Sequence, residues 1–78
     1  KINADKILES LIEAVKKENF SIAGVLRGCK VEKWSNKELE LSTGFKFHRE
    51  RLSEPKTIDL IEKMLLQISG KKVKFSVK

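Results

Sequence analysis

Cysteine, proline, histidine and tryptophan each occur once in this chain, and tyrosine is absent. A single cysteine, Cys29, excludes an intrachain disulfide, and between Gly28 and Lys30 it lacks the paired spacing of a redox or metal motif. It is expected in the core as a small apolar side chain. One histidine and one cysteine fall short of the about three or four ligands of a zinc site, and no metal or other cofactor is expected. Nucleophilic catalysis would need His48 beside a serine or Cys29 with an orienting acid, and no such spacing is present. His48 is therefore expected as a partly buried helix residue, and the domain as non-catalytic. There is no Walker A loop and no dinucleotide fingerprint, so no small-molecule substrate is expected through those devices. No apolar run approaches the roughly 18 residues of a membrane-spanning helix, and no charged n-region with an apolar h-region precedes the domain. The expectation is a cytoplasmic, reducing setting without membrane contact.

What is present is charge. Seventeen lysines and arginines face eleven carboxylates, giving +6 and a pI near 9.6. That sign is compatible with nucleic acid, an acidic protein partner or an anionic surface. The carboxylates are interspersed among the cations rather than segregated, which points to a mixed, solvated surface. With 78 residues the chain can build one core, so residues 1–78 are expected to form a single domain. It opens at Lys1 directly on helix-forming sequence, as a domain excised from a longer protein would.

From Asn3 or Asp5, either of which can cap a helix, Ile7, Leu8, Leu11, Ile12 and Val15 recur at helical spacing, with charged residues on the other side. Asn19, which tolerates a left-handed stop, ends this helix. Ser21 can cap a short second helix over Ile22–Arg27 that closes at Gly28. Cys29–Trp34 and Glu38–Thr43 alternate about the turn Ser35-Asn36-Lys37, a hairpin with Cys29, Val31, Leu39 and Leu41 facing the core. Trp34 breaks that alternation; it either covers the core edge beside the turn or stands exposed as a docking anchor. Ser53 or Glu54 caps a long helix with Pro55 in its first turn, and Ile58, Ile61, Met64, Leu65 and Ile68 form its apolar stripe up to Ser69-Gly70. Lys71–Lys78 alternates as a last strand with Val73, Phe75 and Val77 inward. The string reads α-α-β-β-(short α)-α-β, an α+β fold with KH-like order and helices packed on one face of a three-stranded sheet.

The stretch Gly44–Pro55 joins the hairpin to the long helix and concentrates two of the four phenylalanines, the histidine, two of the three arginines and the proline. Helical spacing puts Phe45, His48 and Leu52 on one stripe and Lys46, Arg49 and Glu50 away from it. Phe45, Phe47 and Leu52 are expected to pack and fix the elbow, leaving Lys46, Arg49, Arg51 and Lys56, with Trp34, as candidate partner-binding residues. A KH domain binds single strands through a G-x-x-G loop between helices, and that loop is missing. Phe75 falls in the inward phase, so the outer sheet face has no aromatic platform. Weak nucleic-acid binding by the basic elbow and last strand is left to the charge alone.

Gly44-Phe45, Phe47-His48-Arg49-Glu50-Arg51-Leu52 and Glu54-Pro55-Lys56 resemble the "GF…FH-K/R-ERL-EPK" signature of the C-terminal domain of bacterial DNA polymerase III subunit gamma/tau, the clamp-loader subunit. The likeness extends through Leu26-Arg27-Gly28-Cys29-Lys30-Val31 and Gly70–Val77 to nearly the whole chain. More distantly, the pattern is similar to the KH-like N-terminal domain of the replication initiator DnaA, which binds proteins. The resemblance implies a piece from the C-terminal part of a longer protein whose ATPase motifs lie in a separate N-terminal module. It implies a non-catalytic interaction module of the replisome, with the DNA polymerase III alpha subunit, a DnaB-type helicase or both as partners.

Overall fold

A computed structural model describes residues 3–78. They form α1 (Ala4–Glu18), α2 (Phe20–Leu26), β1 (Lys30–Trp34), β2 (Glu38–Ser42), α3 (Lys46–Leu52), α4 (Pro55–Ser69) and β3 (Lys74–Val77). This is the α+β order expected from the sequence, and no helix among the described residues is long and apolar enough to cross a membrane.

Local capping explains where the first helices start and stop. The side-chain oxygen of Asn3 accepts the Lys6 N–H at 2.9 Å, which makes Asn3 the cap and leaves Asp5 in the first turn, where a negative charge suits the helix dipole. Ile7, Leu11 and Val15, four residues apart, are buried along one face. Asn19 then serves two helices. Its N–H donates to the Val15 carbonyl at 2.7 Å, and its side chain accepts the Ile22 N–H at 3.1 Å. It does so from extended backbone, φ −154° and ψ 98°, not from the left-handed conformation expected. With Asn19 as the shared cap, α2 begins at Phe20, and Ser21 lies inside its first turn rather than capping it.

The sheet has the order β1-β2-β3. Strands β1 and β2 form the antiparallel hairpin, and β2 and β3 run parallel. A parallel pair requires a crossover, here α3 and α4 together. The turn is held by the Ser35 hydroxyl, which accepts the N–H groups of Lys37 and Glu38, each at 3.2 Å. Val31 faces Leu41 and Trp34 faces Leu39, so three steps along β1 match two along β2; the register shifts between Val31 and Lys33. This bulge accounts for the broken alternation, because an extra residue returns Trp34 to the face of Val31. Cys29 is buried just before β1 begins.

Helix α4 starts at Pro55, whose missing N–H costs nothing at the first position. Glu54 precedes it without a side-chain cap bond, and Ser53 belongs to the end of α3, its hydroxyl donating to the Arg49 carbonyl at 2.8 Å. The helix stops at Gly70, whose φ of 74° is the left-handed conformation that favours glycine. Helices α1 and α4 pack on each other, α1 against β1 and α4 against β3. Leu39, Leu41 and Phe75 point into this layer, while Lys30, Glu32, Lys74 and Ser76 face water. The Phe75 N–H, on the outer edge of β3, donates to the Glu62 carboxylate of α4 at 3.0 Å.

Candidate interaction surface

The elbow is a helix of two turns. Phe45 precedes it in extended backbone, φ −105° and ψ 117°, with no side-chain cap bond, and its carbonyl accepts the Arg49 N–H at 3.0 Å. At about 100° per residue, only residues such as His48 and Leu52, four apart, can share the inner face. Leu52 is fully buried and anchors α3 in the core. Phe45 and Phe47 are not buried, contrary to the expected packing: they are 62% and 69% exposed. Phe47 is about 140° around the helix from Leu52. Phe45 stands at the extended entry, before the helix has turned its side chains toward the core.

Both rings lie near His48, with centroids 5.2 Å from it for Phe45 and 6.3 Å for Phe47, both tilted. His48 is half-buried, as expected, and it closes the junction with the end of α2. Its Nδ1 is buried without a hydrogen-bond partner, and a Cβ on Gly28 would lie 3.8 Å from it. That is ordinary van der Waals distance, so the imidazole lies against the Gly28 backbone without requiring a glycine there.

Lys46 and Arg49 are exposed on α3, Arg51 is half-buried there, and Lys56 is exposed at the second position of α4. All four lie on α3 or in the first turn of α4. The one ion pair among the described residues is elsewhere, between Lys33 and Glu38 at 3.8 Å on the hairpin. The elbow cations are thus without a carboxylate partner. Trp34 is half-buried and packs on the core, the first of its two expected roles. It lines a cleft of about 340 Å³ with Ile68, Ser69 and Val73. That cleft is at the C-terminal end of α4, about 18 Å along the helix axis from Lys56 at 1.5 Å per residue. Trp34 does not belong to the elbow surface.

Burial raises the Cys29 thiol above its ordinary range, and its sulfur donates to the Val25 carbonyl at 3.6 Å, so it is an unreactive core residue. No group of three or more metal-ligating side chains occurs among the described residues. The residues that sequence reading missed as surface are Phe45 and Phe47. The signal was available for Phe47, about 140° from Leu52, but not for Phe45, which helical spacing puts within about 20° of Leu52 and which is exposed because it stands in extended backbone before the helix.

Fold and surface together define a small α+β domain with a mixed three-stranded sheet and an exposed aromatic and cationic elbow. Neither a family model, nor a curated protein, nor a solved structure matches this chain.

Proposed function

We propose that the domain is a non-catalytic protein-docking module and that α3 with its entry residue is the docking surface. The observation behind this is the exposure of Phe45 and Phe47 beside cations that form no ion pair among the described residues. A small domain gains nothing in its own stability from two such rings in water, whereas aromatic and arginine side chains are the usual anchors of protein interfaces. The resemblance of Phe47–Leu52 and Glu54–Lys56 to the gamma/tau signature supports the finer reading. On that reading the domain ties a clamp loader to the DNA polymerase III alpha subunit, a DnaB-type helicase or both. Titrating the domain against each purified partner tests it. Saturable binding to at least one, weakened by Phe47→Ser, is expected; silence with both overturns the replisome assignment.

A second reading is single-stranded nucleic-acid binding, favoured by the alternation of rings and cations over Phe45-Lys46-Phe47-His48-Arg49. It requires an affinity that falls with salt by roughly one unit of logarithmic slope per phosphate contacted, somewhat less for single strands. A flat salt response, or no binding at low salt, removes it.

A further inference from the structure

We propose that the α3 surface recognises an acidic segment of a partner protein that also presents apolar side chains. This rests on the docking reading above and adds the chemistry of the partner. The two exposed rings both lie close to His48, so apolar contact is available beside the half-buried imidazole. Arginines follow both rings in sequence: Arg51 is four residues after Phe47 and about 40° around the helix, and Arg49 is four residues after Phe45, which stands in extended backbone at the helix entry. Neither arginine pairs with a carboxylate of the domain, although Glu50 and Glu54 are close in sequence. The elbow from 45 to 56 holds four cations, Lys46, Arg49, Arg51 and Lys56, against those two acids, within a chain of net charge +6. The complementary occupant is therefore negative and apolar at once.

A peptide satisfies this pattern better than a nucleic-acid strand. A strand brings phosphates at a fixed repeat, and Glu50, between the two arginines, would meet them with repulsion. A peptide can place carboxylates only where the arginines are. Stacking along a strand also needs a row of aromatics. Among the described residues the exposed large apolar side chains are Phe20, Phe45, Phe47 and Leu66, none of them in a strand, so the sheet does not continue such a row.

The test uses the isotope-labelled chain, its amide shifts, and three probes: a synthetic peptide of roughly 15 residues mixing Glu and Leu, the same peptide with Gln for Glu, and oligothymidylate. The Glu peptide is expected to shift residues 45–51. Its affinity should fall about tenfold or more when Gln replaces Glu, or in an Arg49→Glu, Arg51→Glu variant, as for charge pairs at an interface. Phe45→Ser with Phe47→Ser should remove the shifts while the amides of β1, β2 and β3 keep their positions, showing the fold intact. Equal binding of the Gln peptide, shifts confined to other surfaces, or tighter binding of oligothymidylate would each overturn the proposal. Silence of the peptides, with a replisome subunit still binding, leaves docking standing and rejects the acidic class. Binding of the Glu peptide with both subunits silent supports the surface chemistry and rejects the replisome partners.

Discussion

Side chains five to seven residues apart on the elbow have opposite energetic roles. Leu52 is fully buried, so Leu52→Ala removes methylenes from a packed site and leaves a cavity, at a cost of about 2–5 kcal/mol. Phe45 and Phe47 face water, and Phe45→Ser or Phe47→Ser should change stability by no more than about 0.5 kcal/mol. Urea denaturation of the three variants distinguishes them; a large loss from either phenylalanine would make the rings scaffold rather than surface. Cys29 offers a second measurement. Desolvation raises its folded-state pKa above the ordinary 9.0, so as pH climbs past that value the unfolded thiol loses its proton first. The unfolded state is then favoured, and the stability associated with the neutral buried thiol is lost progressively through the alkaline range. Cys29→Ala should therefore show a smaller alkaline loss in matched denaturation curves. An identical loss would show that the thiol does not titrate differently on folding.

At the scale of elements, the last strand depends on α4 for more than packing. Strand β3 has β2 on one side only, and an edge strand presents backbone donors to solvent or to another chain. Glu62 takes one of them, the Phe75 N–H. Glu62→Ala leaves that partly buried amide without its charged acceptor, for which a loss of about 1–3 kcal/mol is expected. Faster hydrogen exchange at Phe75 should accompany it, while Glu9→Ala, on the exposed side of α1, should have little effect on either reading. Unchanged exchange at Phe75 would show that the carboxylate contact contributes nothing to the edge. The bulge in β1 belongs to the same scale. Val31 and Trp34 are an odd number of positions apart and nonetheless face the same layer, because Lys33 is set opposite Glu40 by the shifted register. Alternation alone marks Trp34 as an irregularity without saying which way it turns.

Across the whole molecule, charge is mostly solvated, with one ion pair among the described residues. On the sheet, Lys33 is paired with Glu38, and Lys74 is aligned with Glu38 in the strand register. Cations and carboxylates therefore offset one another on that face. At the elbow the four cations form no ion pair with a described residue, as holds for every described cation but Lys33; what sets the elbow apart is the two exposed rings beside them, and that is where the docking proposal places the partner. The Trp34 cleft, at the far end of α4, is a separate feature in which the indole covers the edge of the core.

Much of this arrangement follows from local sequence. The spacing of Ile7, Leu11 and Val15, the alternation of Leu39 and Leu41 about the Ser35 turn, Pro55 at the start of α4 and Gly70 at its end are short-range signals. Each names an element and its apolar face, because helix and strand periods are properties of neighbouring residues. What lies against a face is a different matter. That β3 joins β2 in parallel, that Glu62 reaches the Phe75 amide, that the β1 bulge turns Trp34 inward and that nothing in the domain covers Phe45 and Phe47 all depend on residues distant in the chain meeting or failing to meet. Periodicity supplied the buried place of Leu52. Only the tertiary packing, which fills the interior with α1, α4 and the sheet and leaves α3 at the margin, decided that the rings beside it face water.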